Sequence, residues 1–290
     1  MKVVGFTFVR NAVSYDYPVV ESIRSLLPLC DEVVVAVGRS EENTLGIIEG
    51  IGSPKIRIIH TVWDDSLREG GRVLALETDK ALAAVPADAD WAIYLQADEV
   101  LHEADYPAIR AGMARWQADK SVDGLLLSYR HFYASYDYVG DSRRWYRREI
   151  RIVRPGIGVY SYRDAQGFRK AGNQKLRVKL LDATVHHYGW VKPPAAMQRK
   201  QETFNKLWHS DEWVAQHVAP AAAFDYSQVD ALQRFTGTHP AVMTERIRAQ
   251  NWTYDHDMTC NRYRLKDRFK QAVERLTGYR LGEYRNYQLR

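Results

Sequence analysis

A carboxylate pair directly behind an apolar run is the first feature of this chain that could do chemistry. Trp91 to Leu95 (WAIYL) reads as a buried strand, and Gln96-Ala97-Asp98-Glu99 follows at its end. A hard divalent cation such as Mn²⁺ or Mg²⁺ takes oxygen ligands and bridges one or two carboxylates to substrate phosphates. Asp98 and Glu99 supply that charge. His186 or His187, in the later run Val185 to Gly189, could add a nitrogen ligand, which Mn²⁺ accepts better than Mg²⁺ does. Glu149 follows the Arg147–Arg148 pair and is a candidate proton acceptor, although an ion pair is its simpler reading.

These residues need a scaffold, and the apolar periodicity describes one. Val3–Val9, Glu32–Val37, Lys55–His60 and Trp91–Leu95 read as strands, with helical spacing over Pro18–Leu29, up to about Ile51 and over Arg72–Val85. Strand and helix in alternation predict an α/β fold with an open, mainly parallel sheet and helices on both faces. Ligands of such sheets bind outside the carboxyl ends of the strands, so Arg10–Asn11, Gly38–Thr44 and Gln96–Glu99 share one rim. Further strands are expected at Gly124–Tyr129, Ile150–Val153, Lys175–Leu181 and Val185–Gly189. Past Pro193–Pro194 the pattern turns helical, which divides the chain into 1–192 and a mostly helical extension, 193–290.

Composition bounds the rest. The 290 residues, 46% hydrophobic and 27% charged, are those of an ordinary globular protein. Two distant cysteines read as free thiols in a reducing cytoplasm, with no disulfide frame. No secretory pattern and no apolar stretch of roughly 20 residues is visible, so a cytoplasmic location is expected. Net charge is +5, and residues 261–290 alone carry nine Lys/Arg against three acids. Such a tail is either a solvated helix face or a contact for anionic lipid, which places the chain at most peripherally on a membrane.

The N-terminal stretch of about 190 residues resembles the family 2 glycosyltransferases, whose nucleotide-sugar fold is called GT-A. The resemblance rests on the opening strand ending at Asn11, on the polar loop between Val33 and Thr44, and on Asp90 to Val100 (DWAIYLQADEV). The family's Asp-x-Asp stands here as Gln96-Ala97-Asp98, which keeps the metal-coordinating position and makes the first one an amide. It implies that Thr7, Val9 and Asn11 line the nucleotide pocket together with Gln96, Ala97 and Asp98, and that Arg72 is the basic residue near the nucleotide. Gly38 takes a place where many members carry an Asp beside the base. His187-Tyr188-Gly189 resembles the late element whose His helps hold metal and diphosphate. By the same resemblance Asp164 is the acidic residue of an acceptor-side loop and the leading candidate for catalytic base, ahead of Glu149 and Glu99.

The implied reaction moves a sugar, with inversion, from a nucleoside-diphosphate donor, expected to be UDP-linked, to an acceptor hydroxyl of a glycan or a lipid-linked molecule, as in surface polysaccharide synthesis. Residues 129–148 interleave aromatics with Arg. Aromatic faces stack on sugars and Arg forks bind phosphate or carboxylate, so Tyr136, Arg144 and Trp145 are candidate acceptor contacts. A sugar nucleotidyltransferase would want a Gly-rich loop, and residues 5–14 hold one glycine. An inactive nucleotide-sugar or glycan binding protein of the same fold is the alternative, with Gln96 as its support. No nucleic-acid partner is expected.

Overall fold

Val3–Val9 (β1) is buried along its whole length because helices cover both faces of the strand. Val3 and Val9 pack with Val19, Ile23 and Leu26 of helix α1 (Val19–Leu26). Val4, Phe6 and Phe8 point the other way, into a second core with Val73, Leu74 and Ala81 of α3 (Arg72–Ala83). Side chains alternate across a strand, so one apolar run feeds two cores. The neighbouring strands repeat the device: β2 (Glu32–Gly38), β3 (Ile56–Thr61) and β4 (Trp91–Tyr94) run parallel to β1 in the order β3-β2-β1-β4. Helix α2 (Thr44–Glu49) links β2 to β3.

Past β4 the chain changes direction. A short strand β5 (Glu99–Leu101) and helix α4 (Tyr106–Trp116) lead into β6 (Gly124–Tyr133), β7 (Tyr138–Gly140) and β8 (Arg148–Val153). Strand β8 inserts antiparallel between β4 and β6. The hairpin β9 (Val159–Tyr162) and β10 (Gly167–Lys170) comes next, then β11 (Gln174–Trp190), which runs parallel to β6. The chain thus has the expected GT-A-like α/β architecture, with the order β3-β2-β1-β4-β8-β6-β11-β10-β9. Two expected strands, 175–181 and 185–189, are one 17-residue strand. A register shift between Leu180 and Thr184 absorbs the irregularity that broke the sequence pattern.

The structure is a computed structural model that describes residues 1–218, 221–263 and 265–290, without the side chains of Leu265 and Arg275. After β11 come α5 (Pro194–Asn205), α6 (Asp211–His217), β12 (Leu232–Arg234), α7 (Thr244–Arg248), α8 (Leu265–Thr277) and β13 (Tyr287–Leu289). Strand β12 pairs with β7 and β13 with β11. Glu274 of α8 binds Arg143 and Arg147, and Arg280 donates to the carbonyls of Arg143 and Trp145. Of the basic residues in the tail, Arg264 lies outside the described residues. Helix α8 exposes Phe269 and Leu276. Cys30 is buried and Cys260 exposed, both as free thiols. Among the described residues no helix is long and apolar enough to cross a membrane.

Candidate functional site

Strand β5 pairs antiparallel with β11, His187 opposite Glu99, and the Tyr188 N–H donates to the Asp98 carbonyl at 2.8 Å. This register carries Asp98 to the late histidines, about ninety residues away in sequence. Adjacent side chains on a strand face opposite ways, so only one of the two can meet it. His187 does, with Nε2 3.7 Å from Asp98 Oδ1. His186 faces the other side, where it stacks on Phe132 and its Nε2 lies 3.2 Å from Arg130 Nη1. Burial drops its pKa to about 3, and it takes no part in the Asp98 pair.

The state of His187 follows from its neighbours. His131 Nε2 sits 2.7 Å from the Tyr146 carbonyl, an acceptor only, so that nitrogen carries the hydrogen. Burial holds the His131 pKa well below 6.5, which leaves its Nδ1 a bare acceptor. His187 Nδ1, 3.0 Å away, must then donate. The network therefore assigns an unprotonated Nε2 to His187, aimed at a carboxylate. Burial also lowers the His187 pKa, in keeping with a neutral ring.

Two acceptors that face each other without a proton between them could share a cation. One carboxylate oxygen and one imidazole nitrogen suit Mn²⁺, with His131 orienting the ring from behind. Among the described residues no group of three or more His, Cys, Asp or Glu forms a metal cage, so the remaining ligands of such an ion would be oxygens of substrate or water. Gly189 keeps the space open: a Cβ there would lie 2.7 Å from His187 Nε2 and 2.8 Å from Asp98 Oδ2. Gly189→Ala is accordingly expected to weaken Mn²⁺ binding at least about tenfold by calorimetry while the circular dichroism spectrum stays that of wild type. Undiminished Mn²⁺ affinity in that variant would show that the gap has no such use.

Cations surround Asp98. Lys200 of α5 places Nζ 3.4 Å from Asp98 Oδ2 and 3.0 Å from the Gly189 carbonyl. Lys192 is fully buried over the Tyr17 ring and donates to the Asp16 carbonyl. Burial opposes ionisation of Asp98, but the Lys200 ammonium beside it outweighs that cost and holds the carboxyl below its usual range.

Glu99 has a different fate. It is wholly buried, in a two-pronged ion pair with Arg151 at 2.8 Å per contact, and it also accepts from the Tyr129 hydroxyl and the Gln96 N–H. With both oxygens engaged it anchors the loop and is unavailable as a base. The Gln96 side chain donates to the Ala165 carbonyl at 3.3 Å, which ties this loop to the β9–β10 hairpin.

Asp98, Gln96, Leu74, Lys200 and Phe204 line both a narrow cleft of about 100 Å³ and a wider cavity of about 680 Å³. Val9 and Ala97 line the narrower one with Phe8, Arg10, Tyr17 and Trp63. Arg10 lies over the Trp63 ring and pairs with Asp65. Contrary to expectation neither Thr7 nor Asn11 lines the cleft: Thr7 is fully buried, and the Asn11 N–H donates to Ser40 Oγ. Gly38 lies beside a neighbouring cavity, and a Cβ there would clash with Trp63 Nε1, so Trp63 fills the room an aspartate would need. Arg72, exposed at the start of α3, does not line the cleft.

The wider cavity holds Asp164, Glu149, His187, Arg144 and Trp145. Tyr136 does not reach it, being packed inside against Tyr188 and Trp252. Asp164 stands in the β9–β10 turn between Arg163 and Ala165, both left-handed at φ 59° and 63°. Two such non-glycine residues flanking one acid are costly, and backbone of this kind gathers at functional sites. Burial raises the Asp164 pKa, partly offset by local N–H groups and by Arg163 and Arg151. Glu149 accepts from Gln166 Nε2 at 2.9 Å, and burial pushes its carboxyl up to about 8. Lys200, Lys192, His131 and Trp63 were not singled out by sequence reasoning: nothing distinguishes one lysine or histidine until the helix or strand carrying it has docked.

No protein-family model matches the chain, and no curated protein matches it. Solved structures do. S. aureus TarS 1–349 in complex with UDP aligns at a TM-score of 0.42 and 13% identity, over 74% of this chain and 69% of that one. Glucosyl-3-phosphoglycerate synthase from Mycobacterium tuberculosis, in complex with Mn²⁺, UDP and phosphoglyceric acid, aligns at 0.30 and 15%, over 45% and 43%. The 4-diphosphocytidyl-2C-methyl-D-erythritol synthase of Anaerococcus prevotii aligns at 0.36 and 10%, over 66% and 89%. At these values the functional reading has to come from the cleft itself.

Proposed function

We propose that the chain is a glycosyltransferase that uses a nucleoside-diphosphate sugar, expected to be UDP-linked, and inverts the anomeric centre. The observation that carries this reading is the His187–Asp98 pair, two acceptors held apart by Gly189 at the junction of two cavities. A base and ribose would occupy the narrower cleft beside Phe8 and Trp63, and the diphosphate would reach Asp98. The acceptor would enter the wider cavity against Trp145 and Arg144, where Asp164 takes the proton of the attacking hydroxyl. A divalent ion held by Asp98 and His187 would offset the charge that develops on the departing diphosphate. Gln96 keeps the Asp164 hairpin and the Asp98 loop in register, which fixes the separation of the two halves of the reaction. Exposed Phe269 and Leu276 on a basic helix are in keeping with a lipid-linked acceptor at a membrane surface.

A thermal-shift screen of nucleoside diphosphates and nucleotide sugars, with and without Mn²⁺, tests the reading. One nucleotide is expected to raise the melting temperature, more so with Mn²⁺, since a ligand bound only by the folded state stabilises it by RT ln(1 + [L]/Kd). A flat response to every nucleotide under both conditions would remove the proposal.

A further inference from the structure

Lys200 stands where the two cavities meet, and among the described residues its ammonium is the cation nearest the Asp98 carboxylate. Its bonds are incomplete. An ammonium has three donors, and the contacts made are one of 3.0 Å to the Gly189 carbonyl and one long contact of 3.4 Å to Asp98 Oδ2. The side chain is still 11% exposed and passes the rings of Tyr17 and Phe204 at 5.1 and 5.5 Å. Lys192 differs: it has no exposed surface and is held by the Asp16 carbonyl.

We propose that Lys200 is a built-in cation of the donor site: it neutralises Asp98 in the free protein and transfers to the diphosphate when a nucleotide and a divalent ion enter. The inference rests on the glycosyltransferase reading and adds to it a phosphate-binding residue contributed from beyond Pro193. Two cations that share one carboxylate repel each other, so an ion arriving at Asp98 and His187 displaces the ammonium. The lysine stem is long and flexible, and the charge it frees sits at the mouth of the nucleotide cleft, where a diphosphate offers it full charge-assisted hydrogen bonds.

This exchange predicts effects of opposite sign. In Lys200→Met, Mn²⁺ without nucleotide is expected to bind at least about threefold more tightly, because its competitor is gone. UDP in the presence of Mn²⁺ is expected to bind about tenfold more weakly, the size of one lost hydrogen bond to a charged group. Titration calorimetry reads both, and Lys200→Gln serves as the second neutral variant if Lys200→Met does not fold. Lys200→Arg, which keeps the charge, is expected to restore most of the UDP affinity. A fall in both affinities would mean that Lys200 only props up Asp98, and unchanged affinities would mean it does neither; each outcome overturns the proposal. If the wild-type protein itself binds neither UDP nor Mn²⁺, the transferase reading falls and this inference falls with it.

Discussion

Asp98→Ala is expected to abolish Mn²⁺-dependent stabilisation by nucleotide and to lower turnover by at least about a thousandfold, roughly 4 kcal/mol of transition-state stabilisation. Two losses combine in this one change. A divalent ion would lose the only carboxylate of the pair, and His187 alone would not hold it. Lys200 also loses the charge that balances it, and a buried cation left without its partner costs about 3–5 kcal/mol. The variant should therefore melt earlier as well as fail to bind. Asp98→Asn separates the two, since it keeps the shape and removes the charge. Nucleotide-sugar turnover within about tenfold of wild type in either variant would rule out Asp98 as the centre of the site.

Asp164→Asn is expected to reduce kcat by about 10²- to 10⁴-fold, the usual worth of a positioned general base, with little change in donor KM. Glu149→Gln is the contrasting variant. At neutral pH Glu149 carries its proton, and a protonated carboxyl cannot accept another, so activity near pH 7 is expected to survive. Stability reports on Glu149 instead. Its folded pKa of about 8 lies above the ordinary 4.5, so the folded state binds the proton more tightly than the unfolded chain does. The stability this contributes is complete below about pH 4.5 and is lost as pH rises through about 8. Melting temperatures of Glu149→Gln across that window should fall less steeply than those of wild type. If Glu149→Gln is the variant that loses kcat while Asp164→Asn keeps it, the base has been assigned to the wrong carboxylate.

Much of the architecture was legible in the order of residues. Continuous apolar runs such as Val3–Val9 and Trp91–Leu95 have no polar face, so they can only be central strands covered on both sides, and a parallel sheet between helices follows. The position of Asp98 at the end of such a strand puts it on the ligand-binding rim by the same logic. Periodicity is local, however, and carries no information about which strand lies opposite which. The choice between His186 and His187 was settled by the β5–β11 register, where a slip of one residue would have exchanged them. Glu99 looked like half of a metal site until Arg151, 52 residues further along, closed on it, and Tyr136 looked like a ligand contact until it was buried beside Trp252. Lys200 reached Asp98 only through the docking of α5, 102 residues away. Sequence alone determined which residues could be strands, helices and acids at strand ends, because those properties depend on near neighbours. Tertiary structure decided which acid remains free, which histidine faces it and which lysine balances it, because long-range contacts set the cost of each buried charge.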